Sequence, residues 1–198
     1  MATKRARVES ALLRRINERR LLEMIQRSGP SSRAALTRLS GLTAPTVSKA
    51  VESLLTRGLV EELDPVTPTL GRPGRLVRMA TNSATVLGVV IDVDTCCVTA
   101  AGLDGRITED QTLRFPTPGT YAELIDDLEA TCRSLLARTS ATPHGVGVSV
   151  PGLVNQRLDQ VVFSPNLHLL DKRNPARDLA LRLGVECLLL QETDALCL

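Results

Sequence analysis

Between Ser28 and Arg78 the chain is punctuated by glycine and proline at short intervals, and this punctuation decides what the stretch can become. Apolar residues at Leu21, Leu22, Met24 and Ile25 predict a helix over Asn17 to Arg27, stopped by Gly29-Pro30. Ser31 or Ser32 then caps a second helix, whose apolar positions are Ala34, Ala35, Leu36 and Leu39. Gly41 ends that helix and makes a tight turn. Thr43 caps a third helix, with Pro45 in the first turn, where a missing N–H does no harm. Val47, Ala50, Val51, Leu54 and Leu55 form the inward stripe of the third helix, which Gly58 closes. A strand begins at Leu59-Val60-Glu61-Glu62-Leu63, Pro65 to Thr69 turns, and Leu76-Val77-Arg78-Met79 returns. Two helices joined by a glycine turn and followed by a two-stranded wing make a winged helix-turn-helix. Such a unit can lay the second helix of its pair in the major groove of DNA.

Charge points the same way. Residues 1–80 carry 15 basic and 7 acidic side chains, a net of +8, whereas residues 81–198 carry 9 and 15, a net of −6. A basic segment joined to an acidic one implies that only the first meets a polyanion, although a solvated basic face is the plainer alternative. With no Trp, one Tyr and two Phe, the cores must be built from Leu, Val, Ile and Ala. The five cysteines, Cys96, Cys97, Cys132, Cys187 and Cys197, have no metal-ligand spacing, and they read as small hydrophobes in a reducing compartment. No apolar run is long enough to span a membrane and Met1–Arg20 lacks a signal-peptide core, so the expected location is cytoplasmic.

Within the third helix, Ala44, Pro45, Thr46, Ser48 and Lys49 are not committed to the core. Small and hydroxyl side chains there approach base edges and thymine methyls, and Lys49 reaches a base or a phosphate. Ser32 and Arg33 begin the second helix, where an N-terminus meets phosphate, and Thr43 has the equivalent place on the third. For Ser32 and Thr43 simple capping is the alternative, and the two roles are compatible. Arg72 and Arg75 flank Pro73-Gly74 at the wing, placed to enter a narrow, A·T-rich minor groove or to touch phosphates only. Lys4-Arg5-Ala6-Arg7 and Arg14-Arg15 add charge as a frayed arm or first helical turns.

Beyond residue 80 the pattern changes. Val86 to Ala101 is rich in β-branched residues, Leu103-Asp104-Gly105-Arg106 is a hairpin signal, and a further strand is expected from Ile107 to Phe115. Leu124, Ile125, Leu128, Leu135 and Leu136 place a helix within Thr120 to Arg138. Gly145 to Val150 reads as a buried strand ending at Pro151-Gly152, and a short helix over Ala176 to Leu183 precedes a strand from Val185 to Leu190. Three antiparallel strands, a crossover helix and then parallel strands resemble the ribonuclease-H-like half of the actin and sugar-kinase fold. The expected class is therefore α/β: a winged helix-turn-helix over residues 1–80, then a partial ribonuclease-H-like lobe over residues 81–198.

From about Asn17 to its end the chain resembles the ROK family, which groups sugar-responsive repressors with sugar kinases. The resemblance rests on Ser32-Arg33-Ala34-Ala35-Leu36, Gly41-Leu42-Thr43-Ala44-Pro45-Thr46-Val47-Ser48, and Gly71-Arg72-Pro73. In the second part it rests on Val86-Leu87-Gly88-Val89, Val148-Ser149-Val150-Pro151-Gly152-Leu153-Val154, and Ser164-Pro165-Asn166-Leu167. It implies a double-stranded DNA operator as partner, a sugar or sugar phosphate as effector, and a homodimer for the intact family. Asn166 and Asp194 are the residues it marks for sugar hydroxyls, with a loop cap as the alternative role of each.

The chain also departs from that family. The kinases carry Asp-x-Gly-x-Thr near the first strand, and here Val90, Asp92 and Asp94 stand at those positions, so two carboxylates would repel a triphosphate. The Glu-Asn-Asp segment reads Glu192-Thr193-Asp194. The sequence stops at Leu198, before a second lobe with Glu-x-x-Gly-His and a Cys/His zinc site, so it reads as truncated, with half a sugar cleft and no metal. The expected function is a DNA-binding repressor of carbohydrate-utilisation genes, not an enzyme and without a cofactor. A sugar kinase and a truncated paralogue acting as an interaction module are the alternatives.

Overall fold

The computed structural model describes residues 2–63, 75–81, 83–107 and 109–195, with no description of the side chains of residues 2–10. Two compact units divide between Ser83 and Ala84.

The first unit opens with α1 (Ala2–Ser28). The apolar pattern places a helix only from Asn17; the structure carries it back to Ala2, so of the two readings of Lys4–Arg7 and Arg14-Arg15 the helical turns are the ones observed. Periodicity could not show this, because Leu12, Leu13 and Ile16 are exposed while Leu21 and Ile25 are buried, so no single stripe runs the length of the helix. Helix-favouring Ala, Leu, Arg and Glu carry the first half instead, and the i,i+4 pairs Arg14–Glu18 and Arg19–Glu23 support the helix from its middle onward. Two residues, β1 (Ser31–Ser32), then precede α2 (Arg33–Ser40). Gly41 follows in the left-handed conformation (φ 66°), where its N–H closes on the Thr37 carbonyl. Next come α3 (Ala44–Thr56), β2 (Val60–Leu63) and β3 (Leu76–Met79). These strands form a three-stranded sheet in the order β1-β3-β2, antiparallel throughout. Leu21, Ile25, Leu36, Val47, Ala50, Val51, Leu54, Val60 and Val77 make the core. The connection over residues 64–74, with the expected Pro65–Thr69 turn, lies outside the described residues.

The second unit is built on a five-stranded sheet of order β10-β7-β4-β5-β6. The β-branched run is two strands, β4 (Ala84–Val90) and β5 (Thr95–Ala101), and β6 (Thr112–Pro116) completes an antiparallel meander. β6 starts later than the expected Ile107, because residues 109–111 form a single 3-10 turn. α4 (Tyr121–Leu136) crosses over to β7 (Thr142–Val150), which pairs parallel with β4. A hairpin with no counterpart in the sequence reading follows, β8 (Leu153–Asn155) with β9 (Gln160–Phe163). α5 (Pro175–Leu183), β10 (Cys187–Gln191, parallel to β7) and the short α6 (Glu192–Ala195) end the described chain. Leu87, Val89, Cys96, Val98, Val146 and Val148 from the sheet meet Leu124, Leu128, Cys132 and Leu135 of α4 and Leu179 of α5. Cys96 and Cys97 point to opposite faces, one buried and one half-buried, as neighbours on a strand must. Burial raises the Cys132 thiol to about 12, and the described cysteines are free.

Candidate nucleic-acid interface

The face that α3 presents follows from its buried stripe. Val47, Ala50, Val51 and Leu54 recur at i, i+3, i+4 and i+7 and are sunk in the core. The opposite side, Ala44, Pro45, Ser48, Lys49 and Glu52, is exposed, and Thr46 is half-buried beside it. The first turn of α3 contains no acidic residue. A helix N-terminus carries partial positive charge, so this end favours an anion.

Thr43 stands at the N-cap position with extended backbone, but its side chain does not cap. Its Oγ1 lies 2.8 Å from Thr46 Oγ1 instead, which corrects the expectation of a capping Thr43 and ties two candidate contact residues together. Ser32 does cap: its Oγ accepts from Ala35 N at 3.1 Å. Its neighbour Arg33 is half-buried and donates from Nη1 to Glu62 Oε1 at 2.7 Å. Arg75, just before β3, donates from Nη1 to the other oxygen, Glu62 Oε2, at 2.8 Å. Hydrogen bonds from Arg75 and Arg33 hold the Glu62 carboxyl below its ordinary range, so it is an anion at neutral pH. Arg72, Pro73 and Gly74 lie outside the described residues.

Behind α3, Glu18 of α1 is 5% exposed. It accepts from Arg14 Nε at 2.9 Å and Arg57 Nη1 at 3.1 Å, and Arg14 reaches on to Ser53 Oγ at 2.8 Å. This cluster pins α3 to α1 and so fixes the angle at which the exposed face is offered. Sequence patterning did not single out Glu18 or Glu62. The only sequence signal for Glu18 was its i,i+4 spacing from Arg14, and Glu62 had none.

In the second unit, Asn166 is exposed in the turn after β9, and Asp194 is exposed on α6 directly after β10. The C-terminal ends of the parallel strands β7 and β10 are in register, Val150 opposite Gln191, and Val154 N donates to Gln191 Oε1 at 3.4 Å. Ligands of open α/β sheets lie outside such carboxyl ends. The turn that shapes this edge depends on Gly152, at φ 97°: a Cβ there would come within 2.4 Å of the Phe163 carbonyl oxygen. Asp92 and Asp94 are exposed at the β4–β5 turn, where Asp92 Oδ1 accepts from Val93 N at 2.7 Å. Among the described residues no three His, Cys, Asp or Glu side chains are grouped to hold a metal ion. No helix among them is long and apolar enough to cross a membrane.

The architecture is thus a helix-turn-helix followed by a ribonuclease-H-like α/β lobe. The model of the ROK family matches residues 86–198, more than half of the sequence, and that of the MarR family matches residues 13–67. The chain belongs to the ROK family. It is 32% identical over 140 residues to the uncharacterized protein y4fQ of Sinorhizobium fredii, covering 69% of this chain and 36% of that protein. It is 27% identical over 163 residues to the xylose repressor of Bacillus spizizenii, covering 80% of this chain and 41% of the repressor. The chain therefore spans well under half the length of either relative. Among solved structures, a ROK family transcriptional regulator described as a homolog of the E. coli MLC protein superposes with a TM-score of 0.73. That likeness covers 93% of this chain and 47% of the other at 19% identity, and establishes the fold.

Proposed function

We propose that this chain carries the operator-binding module, and part of the effector-sensing lobe, of a transcriptional regulator that represses carbohydrate-utilisation genes. The observation that carries the reading is the outward face of α3: Ala44, Pro45, Thr46, Ser48 and Lys49 present small, hydroxyl and cationic groups at a helix start free of acidic residues. Ser32 and Arg33 at the start of α2 contact phosphate in this reading, Thr43 orients Thr46, and Arg72 and Arg75 serve the wing. Similarity to a protein named xylose repressor supports a sugar as the signal. Asn166 and Asp194 then hydrogen-bond sugar hydroxyls at the edge beyond β7 and β10. In the intact family a homodimer on two half-sites is expected, since one helix-turn-helix alone binds weakly. In this reading the protein acts by binding and not by turnover: the family resemblance matches the exposed carboxylates Asp92 and Asp94 to positions of the kinases' phosphate loop, and anions there repel a triphosphate.

Fluorescence anisotropy with duplex DNA from the protein's own upstream region, at two salt concentrations and against shuffled DNA, tests the proposal. Tighter binding to the native duplex with steep salt dependence is the expected result. Equal binding to both duplexes removes the claim of sequence reading, and phosphorylation of a hexose by the purified protein removes the claim that it is no enzyme.

A further inference from the structure

On β2 the side chains of Glu61 and Glu62 point to opposite faces, as neighbours on a strand must. Glu61 bonds Arg78 at 2.7 Å and Thr81 at 2.9 Å. Glu62 faces the other way, toward the start of α2 and the start of β3, and each of its two oxygens takes a different arginine. Ladder register explains the meeting. Ser32 and Leu63 both pair with Leu76, so Arg33 and Arg75 fall one step to one side of that row and Glu62 one step to the other. Positions two steps apart share a face.

Two guanidinium groups that flank a helix N-terminus make a strong phosphate site. The Glu62 carboxylate between them takes away one unit of the positive charge they would otherwise offer. Both guanidiniums remain partly open, Arg33 at 35% and Arg75 at 64% side-chain exposure, so a phosphate could reach them in competition with Glu62.

We propose that Glu62 is a specificity-determining residue that acts as an internal competitor for DNA phosphate. It occupies Arg33 and Arg75 in the free protein and so weakens sequence-independent binding. The inference rests on the DNA-binding reading above. Base contacts from α3 do not involve Glu62, so its charge is set against the electrostatic part of affinity, the part that every DNA sequence shares.

The test is Glu62→Gln, which keeps the size of the side chain and removes its charge, with Glu61→Gln as a control that removes the same charge from the same strand. Affinity of Glu62→Gln for shuffled duplex is expected to rise about tenfold at low salt. The slope of log K against log salt should steepen by about 1 to 2, since each phosphate engaged adds about 0.9. Glu61→Gln should change affinity by about twofold at most, because the arginine it releases, Arg78, lies on the opposite face of the strand from Arg33 and Arg75. In an Arg33→Ala/Arg75→Ala background the Glu62→Gln gain should vanish. Unchanged or weaker binding by Glu62→Gln, or an equal gain by Glu61→Gln, overturns the proposal. A parent protein that binds no duplex at all defeats the DNA-binding reading instead. Elution from immobilised heparin, a polyanion with no base sequence, then still decides the role of Glu62: later elution of Glu62→Gln supports it and co-elution overturns it.

Discussion

Gly152 shows how much one position can carry. Its φ of 97° is one that side-chain-bearing residues rarely adopt, and the space a Cβ would need holds the backbone of Phe163 and Ser164. Neither neighbour is the movable end of a side chain, so Gly152→Ala must shift main chain. A loss of about 2–4 kcal/mol from the second unit is expected, combining left-handed strain with overpacking. Tyr121, the single tyrosine of a chain without tryptophan, lies in that unit, so urea unfolding followed by tyrosine fluorescence measures it directly. Glu18 is the comparable residue of the first unit. Burial pushes its carboxyl up, but hydrogen bonds involving Arg14 and Ser53 and the charges of Arg14 and Arg57 outweigh burial, leaving it below 4.5. A carboxyl whose folded value lies below its unfolded one stabilises above the unfolded value and loses that contribution as pH falls through the folded one. Circular dichroism melts should therefore fall from about pH 5 toward pH 3. Glu18→Gln should cost about 1–3 kcal/mol at neutral pH and flatten that dependence, because bonds to a charged group are removed. Equal pH profiles in parent and variant would assign the acid sensitivity elsewhere.

At the scale of elements, α3 is the part read most fully from sequence, because each of its signals agrees: glycine before it, proline in its first turn and a clean apolar stripe. If its outward face reads bases, Lys49→Ala should lose about 1–3 kcal/mol on the native duplex and much less on shuffled DNA. Equal losses on both would make Lys49 a phosphate contact. The first half of α1 was legible only as one of two alternatives, because exposed leucines blur its stripe. The β8–β9 hairpin was hidden because its strands, of three and four residues, are too short to show alternation. Of the candidate interface, the positions on α3 were legible from what its core stripe left over. The ion pairs of Arg33 and Arg75 were not, since they join residues 29 and 13 apart through sheet register, which a linear pattern does not carry. Thr43 was legible as a position and misread as a cap, because a threonine at a helix start can satisfy a neighbouring hydroxyl instead of a backbone N–H.

For the whole molecule, two separate cores imply two separable stabilities. Glu18→Gln is expected to shift the helical signal of the first unit while leaving the Tyr121 fluorescence transition of the second in place, and Gly152→Ala to do the reverse. Coincident shifts in both signals would show that the units unfold together.

Ser32 gives the first unit a check on its own assembly. It is at once the last rung of the β1–β3 ladder, opposite Leu76, and the side chain that caps α2. A slip of one residue between these strands would turn Ser32 away from the helix it serves, so a misregistered chain forfeits a helix start together with its strand pairing. Wrong pairings are thereby penalised twice, and the folding landscape of a small sheet with a two-residue edge strand acquires a gap that its few hydrogen bonds alone would not supply.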